Sequence, residues 1–115
     1  MPLLRLETTV PVGDDQQKTL LASLSKIVAG TIGKPEQYVM VTMSPASVLM
    51  SGKTDASAFV EVRSIGGLGP EVNRQLAQKV SKVLHDSLGI PASRVYLNFE
   101  DVRAENWGWN NETFG

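Results

Sequence analysis

The sequence predicts an α+β fold, a two-layer sandwich in which a four-stranded sheet carries two helices on one face. Three observations support this prediction. A pattern of Gly, Pro and apolar positions recurs after 56 residues, two segments have helical periodicity, and four short segments have the apolar character of strands. The 115 residues are expected to form a single domain, with repeat halves of about 1–56 and 57–115.

The repeat is clearest where the predicted helices end. Gly33 and Pro35 recur as Gly89 and Pro91. The apolar positions that keep register are Leu20, Leu24, Ile27, Val28 and Ile32 in the first half, and Leu76, Val80, Val83, Leu84 and Leu88 in the second. Because turn residues and apolar residues keep the same spacing together, each half is interpreted as one β-α-β unit.

Helices are predicted over 14–32 and about 70–88. Asp14 and Asp15 open the first, where carboxylates favour a helix N-terminus, and Pro70 suits the first turn of the second. The Gly-x-Pro pattern after each segment is typical of a helix C-terminus.

Strands are predicted at about 3–8, 38–44, 57–64 and 94–100, where apolar residues alternate or run together. Two β-α-β units with both helices on one face leave the other face of the sheet uncovered. That face is moderately apolar, so we expect it to be buried in an oligomer or to line a cavity.

The composition excludes several classes of protein. Eleven basic and twelve acidic residues give a net charge of −1 without a basic cluster, so neither nucleic acid nor a membrane surface is an expected partner. Cysteine is absent and His85 is the only histidine, which argues against thiol chemistry and a metal site. His85 is expected to be a surface or packing residue. No secretory signal is recognisable, so a cytoplasmic location is expected, with export without a signal peptide as the alternative.

Five segments resemble one known family, the macrophage migration inhibitory factor and D-dopachrome tautomerase family of the tautomerase superfamily. They are MPLLRLETTVP at the start, GKPEQYVMV (33–41), SIGG (64–67), RVYLNFED (94–101) and NWGWNNETFG (106–115). The resemblance implies a homotrimer and a cofactor-free isomerase. The implied reaction is keto–enol tautomerisation of a small aromatic α-keto acid of the phenylpyruvate or dopachrome type, with an N-terminal proline as the base.

Pro2 and Lys34 are the expected catalytic residues. Removal of Met1 would make Pro2 a secondary amine, and burial and a nearby positive charge would both favour its neutral, basic form. Lys34 follows a helix-ending glycine. There it could supply that charge and bind a substrate carboxylate, or merely complement the helix dipole; the resemblance implies the first role.

Ser64 and Ile65 are expected to contact the substrate. The glycines that follow allow close approach of the backbone, so the Ile65 amide could bind a carboxylate or carbonyl oxygen. A phosphate-binding loop and a plain connection are the alternatives for this segment. The resemblance implies the substrate contact at Ile65.

Tyr96 and Asn98 project to the same side of their predicted strand, because they are two residues apart. They could recognise an aromatic keto or hydroxyl group, or simply form a half-exposed polar face. The resemblance implies that they reach the pocket of a neighbouring subunit.

The remaining predicted substrate-binding residues are aromatic. Tyr38, Trp109 and Phe114 resemble the aromatic wall of the family pocket, although they could also pack at an interface. Trp107 stands where the family founder has a smaller aliphatic residue, so it is expected to narrow the pocket rim. The rival function is a cytokine-like ligand of a receptor, in which the tautomerase pocket is vestigial.

Overall fold

The computed structural model describes all 115 residues and contains the expected four-stranded sheet. Its strands are β1 (Pro2–Thr8), β2 (Met40–Pro45), β3 (Ala58–Ser64) and β4 (Val95–Asp101), in the order β2-β1-β3-β4. β1 pairs with β2, and β3 with β4, in parallel, whereas the central β1 and β3 are antiparallel. Each parallel pair belongs to one predicted β-α-β unit, and the two units are joined by the antiparallel pairing of β1 with β3.

The two helices confirm the predicted bounds and the repeat. Helix α1 (Asp14–Ile32) and helix α2 (Pro70–Leu88) have 19 residues each and begin 56 residues apart. Gly33 and Gly89 end them in the left-handed conformation, at φ 80° and 70°, which glycine adopts without steric cost. Neither helix is long and apolar enough to cross a bilayer.

The core lies between the helices and one face of the sheet. The apolar stripes of both helices pack against alternate residues of the two central strands, so both helices cover the same face. The fully buried members include Leu4, Leu6, Leu20, Leu24, Val28, Val60, Val62, Leu76, Val80 and Leu84.

The prediction of a strand over 38–44 is wrong at its start. Glu36–Tyr38 form a 3₁₀ turn, and β2 begins only at Met40. Pro35 presets the turn, which is closed by the Tyr38 N–H donating to the Pro35 carbonyl at 3.1 Å. A second 3₁₀ turn, Ala92–Arg94, follows Pro91 in the same way, so β4 begins at Val95. Tyr38 therefore projects from a turn beside the sheet.

A small hairpin that was not predicted follows the sheet. Strands β5 (Gly108–Trp109) and β6 (Glu112–Thr113) pair antiparallel around Asn110 and Asn111, whose φ angles are 51° and 70°. Asparagine tolerates positive φ better than most residues, and two such residues in a row are typical of a tight hairpin turn. The hairpin turns Trp109 back toward the first residues of β1.

The uncovered sheet face is more charged than expected. Glu61, at its centre, contacts Arg5 at 2.6 Å and Arg63 at 3.2 Å, and Arg63 also contacts Glu100 at 3.5 Å. Apolar and aromatic side chains flank this row, among them Met40, 61% exposed, and Tyr96, 66% exposed. No element of the chain covers this face.

Candidate active site

A cavity of about 430 Å³ lies where β1 and β2 begin. Because these strands are parallel, their first residues meet at one edge of the sheet, with Leu3 opposite Met40. The 3₁₀ turn and the C-terminal hairpin supply the remaining walls. The lining is mostly apolar and consists of Met1, Pro2, Leu3, Gln37, Tyr38, Val39, Met40, Trp107, Gly108, Trp109 and Phe114.

Pro2 is buried and lies at the start of β1, opposite Ser64 of β3. A proline is tolerated as the first residue of a strand, where it need not donate a hydrogen bond. Its backbone nitrogen is therefore carried on a central strand of the sheet. This placement holds the N-terminus of the chain at the cavity.

The environment of the N-terminus disfavours the protonated form of the terminal amine. Burial lowers the pKa of the Met1 terminal amine below its usual value of 8.0, and the positive charge of Lys34 lowers this pKa further. Lys34 is half-buried and forms no ion pair within the chain. Its charge therefore acts on the cavity without a neutralising carboxylate.

The loop after β3 approaches Lys34 closely. Gly67 has φ 82°, and a side chain there would begin 2.7 Å from Ile32 Cγ2 and 3.4 Å from Lys34 Cε. Only glycine fits this crossing, because a methyl group at 2.7 Å would collide with the end of α1. The crossing brings the loop and the lysine to the same side of the fold.

The Ile65 amide is free to bind an oxygen atom. The Gly66 N–H donates to Asp101 Oδ1 at 2.8 Å, whereas the Ile65 N–H has no hydrogen-bond partner in the chain. The Ser64 hydroxyl is buried and donates to the Gly66 carbonyl at 2.7 Å. The Ser64 side chain therefore shapes the loop and does not line the cavity.

The three predicted aromatic residues come together at the cavity wall. Trp109 stacks on Phe114 with ring centroids 5.8 Å apart and planes 6° apart, and its edge meets Tyr38 at 6.1 Å and 85°. The Phe114 N–H donates to the Trp107 carbonyl at 3.1 Å, which fixes the C-terminal segment across the hairpin. Aromatic pairs in these geometries make a rigid apolar wall.

Comparison with known proteins gives matches along the whole chain. The sequence profile of the macrophage migration inhibitory factor (MIF) family matches residues 1–115. The chain belongs to the MIF family.

A MIF homologue from Trichuris trichiura is 43% identical over 99% of this chain and 100% of its own. Among solved structures, a MIF homologue from Prochlorococcus marinus has a TM-score of 0.93 at 40% identity, covering 98% of this chain and 99% of its own. MIF from Toxoplasma gondii has a TM-score of 0.94 at 33% identity, covering 97% and 99%. The structure thus has the MIF fold.

Two residues that the sequence predicts to bind substrate, Tyr96 and Asn98, lie away from the Pro2 cavity of their own chain. Tyr96 and Asn98 are exposed on the uncovered face of β4, which is the edge strand farthest from β2. Within a single chain, Pro2 lines the cavity together with Tyr38, Trp109 and Phe114. Lys34 does not line the cavity but is near enough for its charge to act on the terminal amine, and Ile65, Tyr96 and Asn98 do not line it either. Contact between Tyr96 or Asn98 and the cavity requires another copy of the chain.

Several lining residues were not predicted from the sequence. Leu3, Gln37 and Met40 line the cavity because the parallel register and the 3₁₀ turn place them there, and no local motif marks them. His85 is exposed on α2, as predicted, in a shallow depression remote from Pro2. No group of three or more His, Cys, Asp or Glu side chains lies close enough to share a metal ion.

Proposed function

We propose that this protein is a cofactor-free keto–enol tautomerase in which Pro2, freed by removal of Met1, is the general base. The observation that carries the proposal is the environment of the chain's terminal amine. That amine lies at an apolar cavity, and burial and Lys34 both lower its pKa. The same two causes would act on a Pro2 amine one residue further along, and a neutral amine near pH 7 is a suitable base.

The proposed reaction moves one proton within the substrate. The neutral Pro2 amine removes a proton from the carbon beside the substrate carbonyl, and the electron pair of that C–H bond moves to leave an enolate. The resulting Pro2 ammonium then donates a proton to the enolate oxygen, which gives the enol and restores the neutral amine. No cofactor or co-reactant enters the reaction, and the reverse reaction follows the same steps.

The substrate class follows from the groups around the cavity. Lys34 and the unpaired Ile65 amide suit a carboxylate and its neighbouring carbonyl, while the aromatic wall suits a planar ring. Hydrogen-bond donors directed at the enolate oxygen stabilise its negative charge most strongly where water is excluded. These features fit a small aromatic α-keto acid of the phenylpyruvate type.

We propose further that the site is completed in a homotrimer. The uncovered sheet face needs a partner surface, and Tyr96 and Asn98 are exposed on it. In a trimer they would reach the cavity of the neighbouring subunit and hold the end of the substrate away from Lys34.

The decisive experiment replaces Pro2 by glycine, which keeps a terminal amine but removes the ring and its basicity. Intact mass first confirms that Met1 is absent from each protein. Pro2→Gly is expected to lower kcat/KM for phenylpyruvate tautomerisation by about a hundredfold, within the range of general-base contributions.

Pro11→Gly is the matched control, because Pro11 is exposed in the connection after β1 and away from the cavity. It should retain the parental rate. Equal rates for Pro2→Gly and the parent would show that Pro2 is not the base. A parent that lacks Met1 but does not accelerate the reaction would contradict the tautomerase proposal itself and favour a cytokine-like binding protein.

A further inference from the structure

A second cavity adjoins the Pro2 cavity. It has a volume of about 250 Å³ and is lined by Leu3, Arg63, Val102, Asn106, Trp107 and Gly108. Three of these residues, Leu3, Trp107 and Gly108, also line the Pro2 cavity. The two cavities therefore share one wall.

Trp107 is the bulky part of the shared wall. Gly108 has no side chain, and Leu3 is a β1 residue paired on both sides, whereas Trp107 is the largest residue that lines both cavities. The Trp107 backbone is held in place, since its N–H donates to the Ala104 carbonyl at 3.2 Å and its carbonyl accepts from Phe114 at 3.1 Å. The indole is therefore attached to a backbone segment that two hydrogen bonds hold in place.

The second cavity is chemically different from the first. Arg63 contacts Glu61 through Nη2 at 3.2 Å and Glu100 through Nε at 3.5 Å, so that only its Nη1 group has no partner within the chain. Its side chain is 47% exposed. The unpaired Nη1 group can donate a charge-assisted hydrogen bond to one oxygen of a ligand carboxylate.

We propose that Trp107 determines substrate length by closing the Pro2 cavity against this second, Arg63-containing cavity. With Trp107 in place, the site takes compact aryl keto acids. Without the indole the two cavities become continuous, and the site takes acids extended beyond the ring, with an extra gain when the extension ends in a carboxylate that reaches Arg63. This inference rests on the proposed tautomerase function for its reaction, and its geometry requires that the neighbouring subunit of the proposed homotrimer leaves the Arg63-containing cavity open.

The test compares Trp107→Ala with the parent on three acids: phenylpyruvate, biphenylpyruvate and a biphenylpyruvate bearing a carboxylate on the distal ring. Phenylpyruvate serves as the reference substrate. The ratio of kcat/KM for biphenylpyruvate to kcat/KM for phenylpyruvate should rise by about tenfold or more, since a single methylene of misfit already costs about that factor in an apolar pocket. Trp107→Phe is the graded control and should give a smaller rise. Trp107→Leu replaces Trp107→Ala if circular dichroism shows that the alanine variant is unfolded.

Arg63→Gln in the Trp107→Ala background isolates the role of the charge. It should remove about tenfold of the gain for the carboxylated acid, which is typical of a lost charged hydrogen bond, and leave biphenylpyruvate unaffected. Equal selectivity in the parent and in Trp107→Ala would overturn the role of Trp107. Binding of the same acids, measured by calorimetry, makes the comparison independent of turnover, so failure of the tautomerase proposal stays distinguishable from failure of this one.

Discussion

At the scale of single residues, Lys34 is expected to do two things at once. The residue is half-buried, and its ammonium group has no carboxylate partner and lowers the pKa of the nearby terminal amine. A substrate carboxylate would be its first counterion. Substrate binding and the basicity of the terminal amine are therefore both expected to depend on this side chain.

Lys34→Ala is expected to raise KM for phenylpyruvate and to move the acidic limb of the kcat/KM profile to higher pH. The sign follows from the charge: removing a nearby cation makes the ammonium form less unfavourable, so the amine stays protonated to higher pH. The movement should be partial, because burial is the larger cause of the lowered pKa and remains in the variant. The pH–rate profile measures both effects.

Two matched variants separate the charge from other consequences of the substitution. Lys34→Arg keeps the positive charge and should leave the acidic limb near its parental position. Lys82→Ala removes an exposed lysine on α2 and should change neither quantity. An unmoved limb in Lys34→Ala, with a raised KM, would restrict Lys34 to substrate binding.

At the scale of elements, Arg94 joins the two halves of the repeat. This residue ends the 3₁₀ turn before β4, and its guanidinium donates to the carbonyls of Met50, Lys53, Asp55 and Ala56 at 3.0–3.3 Å. It also donates to the buried Ser57 hydroxyl at 3.0 Å. One side chain thus ties down the long connection between β2 and β3.

Arg94→Ala is expected to lower the free energy of unfolding by about 2 kcal/mol, since several carbonyls of the connection lose a charged donor. Hydrogen exchange of the amides in residues 46–57 should accelerate. Arg74→Ala is the control: this arginine pairs only with Glu71 on the exposed face of α2, and its loss should cost less than about 0.5 kcal/mol. Equal denaturation midpoints for Arg94→Ala and the parent would show that the connection is held by other contacts.

At the scale of the whole molecule, the uncovered sheet face predicts an oligomer, and the family resemblance implies that this oligomer is a trimer. Apolar side chains such as Met40 and Tyr96 flank a row of ion pairs on a face that nothing in the chain covers. Native mass spectrometry at micromolar concentration should therefore show three chains. A monomer at that concentration would contradict both the interface and the shared site.

Mixing two variants that each lack a different part of the site tests whether neighbouring subunits share it. Pro2→Gly lacks the base but keeps Asn98, whereas Asn98→Ala keeps the base. After the two are unfolded together and refolded, mixed trimers should regain part of the parental tautomerase rate, because some cavities then combine an intact Pro2 with an intact Asn98. A mixture no more active than its components would place each complete site within one chain.

The sequence alone determined the elements that depend on local periodicity and turn chemistry. The duplicated β-α-β unit, the helices 14–32 and 70–88 and their glycine ends follow from apolar spacing and from residues that tolerate positive φ. The residue types of Tyr38, Trp109 and Phe114, together with the family resemblance, likewise predict an aromatic wall. These features are local, so the order of residues is enough to predict them.

Tertiary structure decided where those residues meet. The register of β1 with β2 places Leu3 and Met40 at the cavity, the 3₁₀ turn takes Tyr38 out of the strand, and the close crossing at Gly67 brings Lys34 against the loop of Ile65. None of these contacts is encoded by a local pattern, because each depends on the distance between segments far apart in the chain. The position of Trp107 between the two cavities also depends on tertiary structure, because both cavities form only when β1 and the C-terminal segment pack together.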